Sequence, residues 1–178
     1  EKTGVVVDEY LKTNIDNIYA VGDVTGKSML AHVASHQGIT AVKNILGERE
    51  KFDYRAIPSC IYTSPELASV GMTEDEARTI FKENIKVGVF PYAASGKAMT
   101  LGERNGFVKI IAQSKYNEIL GVHIVGPNAT ELIAEAVLAI KLECTAEELA
   151  NTIHAHPTLS EGVMEAAFDL LAEPIHKL

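Results

Sequence analysis

Hydrophobic positions in the first 47 residues predict two short strands and one helix. The apolar runs Val5–Asp8 and Ile18–Val21 predict the strands, and the polar segment Thr13–Asn17 between them is typical of a turn. Apolar residues at helical spacing predict a helix over residues 29–46; they are Leu30, Ala34, Ala41, Val42 and Ile45. Ser28 fits the N-cap of this helix and Gly47 fits its end.

The pattern changes in the second part of the chain. Runs rich in β-branched and aromatic residues predict five strands, at 57–63, 67–71, 85–92, 107–113 and 119–125. The polar connection 114–117 favours a hairpin, and polar residues 94–97 predict another connection. We therefore expect an antiparallel sheet.

Helices are predicted around and after these strands. Apolar residues recur at helical spacing over residues 129–142. Three segments match the capping box Thr-x-x-Glu and predict helix starts, at Thr73–Glu76, Thr145–Glu148 and Thr158–Glu161. The last helix is expected to run to about Leu171. Strands followed by helices indicate an α+β fold.

The charged run Glu48–Lys51 is typical of a solvated linker and suggests a domain boundary. We assign residues 1–47 to one region, 48–56 to a linker and 57–178 to the α+β domain. The formal net charge of −8 argues against a nucleic-acid partner. No apolar run reaches the roughly 18 residues that a membrane helix needs. Cys60 and Cys144 lie too far apart in sequence for a close redox pair, so we expect two buried thiols.

Candidate chemistry is concentrated in the segment His154–Glu161, which holds two imidazoles, a proline and a carboxylate. Pro157 disfavours the α conformation for His156, and Glu161 is placed to fix its tautomer and stabilise the imidazolium. His156 and Glu161 are therefore a candidate acid/base pair. Two alternatives remain open on chemistry alone. In the first, Glu161 only caps the helix and His154 is structural. In the second, the two histidines bind a metal together with a third ligand such as His32, Cys60 or Cys144.

A second candidate site follows the predicted strand Ile18–Val21. Gly22 allows close approach of the backbone, and Asp23 stands at the carboxyl end of that strand, before the helix over residues 29–46. The strand, the Gly-Asp pair, the loop and the helix N-terminus together suit a polar, partly anionic group. A purely structural role for Gly22 and Asp23 is the alternative.

The segment His154–Glu161 resembles the C-terminal signature of the dihydrolipoamide dehydrogenases, which are FAD-dependent disulfide reductases. Its His-Pro-Thr core also resembles glutathione and trypanothione reductases, and the Leu-Ser-Glu continuation favours the first group. The resemblance covers essentially the whole chain. It implies that His156 is the catalytic base, that Glu161 orients it, and that residues 57–178 form the interface domain of a homodimer. It also implies that the segment containing Pro157 faces the flavin of the partner.

The segment Thr13–Asp23 is similar to the second flavin-binding motif of this family. The resemblance implies that residues 1–47 end the FAD-binding domain and that Asp23 accepts a hydrogen bond from the ribityl chain of FAD. The segment formed by Met29, Leu30, Ala31 and His32 resembles the part whose backbone touches the flavin ring. A helix N-terminus there favours the negative charge of reduced flavin.

The resemblance also implies an activity and partners. Such enzymes oxidise dihydrolipoyl groups on the lipoyl domains of 2-oxo acid dehydrogenase or glycine cleavage complexes, and pass electrons through a disulfide and FAD to NAD. We expect a location in the cytoplasm or, in a eukaryote, the mitochondrial matrix. The sequence lacks a Gly-x-Gly-x-x-Gly loop and a close cysteine pair, so we expect the C-terminal part of a longer protein, inactive by itself. A glutathione reductase-like protein and a non-catalytic dimerisation module are the alternatives.

Overall fold

A computed structural model describes residues 4–177. The chain divides between Tyr54 and Arg55 into two compact units. Among the described residues no helix is both long and apolar enough to cross a membrane.

The first unit is built around one long helix. A short 3-10 helix, Gly22–Thr25, precedes helix α1, Ala31–Ile45. Leu30 occupies the N-cap of α1 without a side-chain hydrogen bond, so the prediction that Ser28 caps this helix is wrong. Gly47 follows the helix with a φ of 99°, which agrees with its predicted role as the stop.

The two strands predicted in the first unit do not form. Residues Val5–Asp8 are extended without a partner strand, and only Val7 among the valines is buried. Near Ile18–Val21 there is a single isolated bridge, between Lys12 and Tyr19. The apolar composition matched a strand in both places, but a strand also needs a neighbour to satisfy its backbone groups, and none of the described residues provides one.

The second unit contains a five-stranded sheet in which every pair of neighbours is antiparallel, as predicted. The strand order is β1-β2-β5-β4-β3. The strands are β1 Ser59–Ile61, β2 Glu66–Gly71, β3 Ile85–Pro91, β4 Phe107–Gln113 and β5 Ile119–Gly126. Strand β1 is shorter than the predicted segment 57–63, and it lies at an edge of the sheet, where it pairs only with β2.

Five helices accompany the sheet: α2 Glu74–Phe81, α3 Gly96–Leu101, α4 Ala129–Lys141, α5 Ala146–Asn151 and α6 Glu161–Leu170. Reciprocal capping boxes form at Thr73 with Glu76 and at Thr145 with Glu148, as predicted. Helix α3 was not predicted, because its short polar start was interpreted as a connection. Ser95 caps it by accepting a hydrogen bond from the backbone N–H of Ala98.

The core of the second unit lies between the sheet and two helices. Helix α4 packs on β2 and β5, whereas α6 packs on β3 and β4 and is also contacted by α5. Val108, Ile110, Val122 and Ile124 are fully buried on the central strands. Both cysteines are free and half-buried rather than fully buried, and both pack against this core. The α+β prediction is therefore confirmed, and α6, which begins at Glu161, is fixed on the sheet.

Candidate functional site

The loop between α5 and α6, residues 152–160, carries both histidines of the sequence motif. Its first residue, Thr152, donates a hydroxyl hydrogen bond of 2.7 Å to the carbonyl of Glu148 in α5. Near its other end, Leu159 is buried in the core. The loop is therefore held at both ends by α5 and by the core. The peptide bond between His156 and Pro157 is cis, and the side chain of Pro157 is exposed.

His156 and Glu161 lie within hydrogen-bond distance. Nδ1 of His156 is 2.8 Å from Oε1 of Glu161. The other carboxylate oxygen of Glu161 accepts the backbone N–H of Thr158 at 2.7 Å. The imidazole is 79% exposed, whereas the carboxylate is only 23% exposed. The carboxylate of Glu161, fixed by the Thr158 N–H, therefore contacts Nδ1 of an exposed imidazole. The other ring nitrogen, Nε2, has no hydrogen bond among residues 4–177.

The capping box predicted at Thr158 and Glu161 forms only in part. Glu161 accepts the N–H of Thr158, but the hydroxyl of Thr158 donates to the carbonyl of Ala155 at 2.6 Å. The N-cap of α6 is Ser160, which makes no side-chain cap, and Glu161 is the first helical residue. The prediction of a reciprocal box is therefore wrong. Glu161 contacts the N–H of Thr158 through Oε2 and the His156 ring through Oε1.

The surroundings of Glu161 favour its ionised form. Partial burial opposes ionisation, but hydrogen bonds from the Thr158 N–H and the His156 ring outweigh it, so the pKa of Glu161 is lowered. The nearby imidazoles of His156 and His176 act in the same direction. Glu161 is therefore a carboxylate placed to accept a hydrogen bond from the His156 ring.

His154 has different surroundings from His156. Its side chain is only 6% exposed, and its Nε2 lies 2.8 Å from Oε1 of Glu135 in α4. Its Nδ1 lies 2.8 Å from the carbonyl oxygen of Thr152. The hydrogen bond to Glu135 raises the pKa of His154 against the opposing effect of burial. Both nitrogens of His154 thus face oxygen acceptors. Among residues 4–177 no group of three or more His, Cys, Asp or Glu side chains could hold a metal ion.

In the first unit, Asp23 stands in the 3-10 helix before α1. Its side chain is exposed and makes no hydrogen bond among residues 4–177. A hydrogen bond from α1 fixes this turn: Oε1 of Gln37 accepts the backbone N–H of Gly22 at 2.6 Å. The side chain of Gln37 is fully buried. Nε2 of Gln37 donates to the hydroxyl of Tyr54 at 2.9 Å. Asp23 is therefore an open carboxylate on a fixed backbone.

The start of α1 is also open. Met29 is 72% exposed, Leu30 is half-buried, and Ala31 and His32 are exposed. The N-cap residue Leu30 makes no side-chain hydrogen bond to this N-terminus, which carries the positive end of the helix dipole.

Sequence reasoning missed two residues that support these sites. Gln37 binds a backbone group 15 positions away, and Glu135 binds a ring 19 positions away. Neither stands in a motif, and only the packing of α1 and α4 shows what these side chains contact. No local pattern in the sequence pointed to either role.

Comparisons with known proteins give a consistent result. Residues 57–167 match the family model of the pyridine nucleotide-disulphide oxidoreductase dimerisation domain, and residues 1–38 match that of pyridine nucleotide-disulphide oxidoreductases. The chain is 47% identical to a dihydrolipoyl dehydrogenase of Chlamydia trachomatis, with 99% of this chain and 39% of that protein covered. It is 50% identical to a dihydrolipoyl dehydrogenase of Bacillus subtilis, with 97% and 36% covered.

Solved structures agree with these sequence relatives. LpdA from Mycobacterium tuberculosis superposes with a TM-score of 0.86 at 33% identity, over 92% of this chain and 36% of that chain. The flavoprotein disulfide reductase RclA from Escherichia coli, in its Cu(II) complex, gives 0.83 at 30% identity over 92% and 37%. The chain thus spans less than half the length of the relatives it matches. By its family model over residues 57–167 and these relatives, the chain belongs to the pyridine nucleotide-disulphide oxidoreductase family.

Proposed function

We propose that this chain is the C-terminal part of a flavoprotein that oxidises protein-bound dihydrolipoamide with NAD. Within it, residues 57–178 supply the homodimer interface, and His156 and Glu161 supply the acid/base pair. The single observation that carries the proposal is the 2.8 Å contact between Nδ1 of His156 and Oε1 of Glu161. The names of the similar proteins from Chlamydia trachomatis and Bacillus subtilis support the choice of substrate.

The contact defines the role of each nitrogen of His156. A carboxylate accepts hydrogen bonds only, so Nδ1 donates its hydrogen to Glu161 and Nε2 carries the lone pair. Because the imidazole is 79% exposed, Nε2 is accessible to a substrate group. Glu161 then stabilises the imidazolium that forms when Nε2 takes a proton.

This is the proton transfer that dithiol oxidation needs. A thiol attacks a disulfide only as its thiolate, and a free thiol ionises near pH 8.5, so few thiolates exist at neutral pH. An imidazole positioned at the dithiol takes the thiol proton at Nε2 and increases the fraction of the dithiol that is ionised to thiolate. When the disulfide bond breaks, the same nitrogen can return the proton to the thiolate that leaves.

The first unit fits a flavin. Asp23 offers a carboxylate without a partner among residues 4–177, which suits a ribityl hydroxyl. The uncapped start of α1, at Met29, Leu30, Ala31 and His32, suits the electron-rich pyrimidine edge of the ring. A bound FAD would supply the two-electron acceptor between the reduced redox disulfide and NAD. In the proposed homodimer, Pro157 and His156 face the flavin of the partner.

The proposed enzyme also needs a redox disulfide and a phosphate-binding loop. The chain has two cysteines, Cys60 and Cys144, and no Gly-x-Gly-x-x-Gly loop. We therefore assign the redox disulfide and the phosphate-binding loop to the portion that the relatives have in addition. The proposal includes lipoyl domains of 2-oxo acid dehydrogenase or glycine cleavage complexes as partners, and the cytoplasm as the location.

Substrate comparison in the complete protein tests the proposal. Purified protein that carries this chain is assayed with dihydrolipoamide and NAD, and separately with glutathione disulfide and NADPH. We expect bound flavin and turnover with the first pair only. Turnover with the second pair alone would assign a glutathione reductase-like function, and a flavin-free protein inactive with both would leave a dimerisation module.

A further inference from the structure

His154, the first histidine of the motif, has no role in the proposed chemistry, yet both of its ring nitrogens have a hydrogen-bond partner. His154 is almost fully buried, and its ring connects the loop 152–160 to α4 through Glu135. This hydrogen bond is a direct side-chain link between the loop and α4. The loop is otherwise tied to α5 through Thr152 and to the start of α6 through Thr158.

The two contacts of the His154 ring favour its protonated form. Nδ1 faces the carbonyl oxygen of Thr152 and Nε2 faces a carboxylate oxygen of Glu135. Both oxygens are acceptors, so both nitrogens donate only when the ring carries two hydrogens and a positive charge. Glu161 of α6 is the other charged group that favours this state, and the pKa of His154 is raised accordingly.

We propose that His154 is a positioning residue, a buried imidazolium that ties the loop to α4 through Glu135 and thereby fixes His156 against Glu161. The part that concerns catalysis rests on the proposed function. His156 is two residues from His154 in a loop with few other anchors, so a shift of His154 is transmitted to the exposed ring. A misplacement of about 1 Å at a reacting group costs on the order of 100-fold in rate.

Substitutions at Glu135 in the complete protein test the proposal without touching either histidine. Glu135→Gln keeps the size of the side chain and one acceptor oxygen but removes the charge, whereas Glu135→Ala removes the acceptor. Glu131→Gln is the matched control, because Glu131 is exposed one turn earlier on the same helix and its side chain makes no hydrogen bond among the described residues.

Three measurements are made on each variant. Backbone hydrogen exchange followed by mass spectrometry reports the stability of the segment 152–160. Exchange of the histidine C2 hydrogen against pH reports the titration of His154. Steady-state kinetics separate kcat from KM for dihydrolipoamide.

We expect faster backbone exchange in 152–160 and a roughly 10- to 100-fold lower kcat with little change in KM, larger for Glu135→Ala than for Glu135→Gln. The titration of His154 should move to lower pH in both, and Glu131→Gln should match the unmodified protein. A merely structural role would lower the melting temperature and leave kcat of the folded enzyme unchanged.

Unchanged exchange in 152–160 in both Glu135 variants would overturn the proposal. Faster exchange with a normal kcat, in an enzyme that His156→Gln inactivates, would overturn the positioning role. If His156→Gln is fully active, the proposed function fails instead, and backbone exchange alone then decides whether His154 holds the loop.

Discussion

Oε1 of Gln37 accepts the backbone N–H of Gly22 at 2.6 Å, and the whole side chain of Gln37 is inaccessible to solvent. Its amide nitrogen donates to the hydroxyl of Tyr54 at 2.9 Å. One side chain of α1 therefore fixes the turn that presents Asp23. An unpaired polar group in this position would be costly, because a buried N–H without a partner loses its hydration and gains nothing.

Gln37→Met is expected to lower the free energy of unfolding by about 1–3 kcal/mol, since the N–H of Gly22 loses its partner in a buried position. Tyr54→Phe removes only the second hydrogen bond. Because Tyr54 is 36% exposed, water can replace its hydroxyl as the acceptor, so this variant should cost less, about 0.5–1.5 kcal/mol. Urea denaturation measures both. Equal losses for the two variants would show that the Gly22 contact carries no weight of its own.

Gly88 allows β3 to approach α6 closely. A Cβ at Gly88 would lie 2.1 Å from the carbonyl oxygen of Ala166 and 2.6 Å from the amide nitrogen of Leu170. Gly88→Ala should therefore push α6 away from the sheet and cost roughly 1–3 kcal/mol or more. Gly96→Ala is the control, because no atom lies within 4 Å of the Cβ it would add. Thermal unfolding that shows equal stability for the two variants would contradict the packing described for α6.

Glu161 is expected to make a pH-dependent contribution to stability. Its pKa is lowered below the ordinary value of 4.5 in the folded chain, so its contribution is fully present above 4.5 and is lost as pH falls through the lowered value. The difference in free energy of unfolding between the unmodified chain and Glu161→Gln should be largest above pH 4.5 and shrink below it. Urea denaturation between neutral pH and about pH 3 measures the difference.

Glu103→Gln is the control for this series, because Glu103 is exposed and its side chain makes no hydrogen bond among residues 4–177. Its curve should run parallel to that of the unmodified chain. A Glu161→Gln curve that is also parallel at all pH values would show that Glu161 is not stabilised as a carboxylate. A Glu161→Gln variant of the complete protein that loses stability but keeps its rate of dihydrolipoamide oxidation would favour a capping role alone for Glu161.

Sequence patterns predicted most of the second unit because several kinds of signal agreed there. Strands such as Phe107–Gln113 combine β-branched residues with turn residues at their ends, and α4 has apolar residues at helical spacing. The capping boxes at Thr73 and Thr145 depend on residues three positions apart, so local sequence is enough to specify them.

Predictions failed where the outcome depended on distant residues. Ile18–Val21 has the composition of a strand, but strand formation depends on a partner that local sequence does not reveal. The segment Thr158–Glu161 has the spacing of a capping box, but Glu161 also contacts His156, and α6 begins too late for the reciprocal bond. The pairing of His154 with Glu135 depends on how α4 packs beside the loop, which spacing along the chain does not encode.

The second unit is expected to self-associate. Large apolar side chains remain exposed on β1, β2 and α4, and such surface favours burial against another chain. They include Ile61 at 53%, Leu67 at 38% and Leu138 at 59% exposed, and Leu142, which directly follows α4, is 64% exposed. Light scattering of the 178-residue chain should give twice its mass of 19.2 kDa. A monomer at high concentration would show that these surfaces do not suffice for dimerisation.

The central claim is that His156 is the base and that Glu161 supports it. His156→Gln in the complete protein keeps a polar side chain and removes the base, so the rate of dihydrolipoamide oxidation by NAD at neutral pH should fall about 10²- to 10⁴-fold with flavin content unchanged. Glu161→Gln should cause a smaller loss, and the double variant should be little worse than His156→Gln, because the two residues act as one unit. A near-normal rate for flavin-loaded His156→Gln would contradict the account.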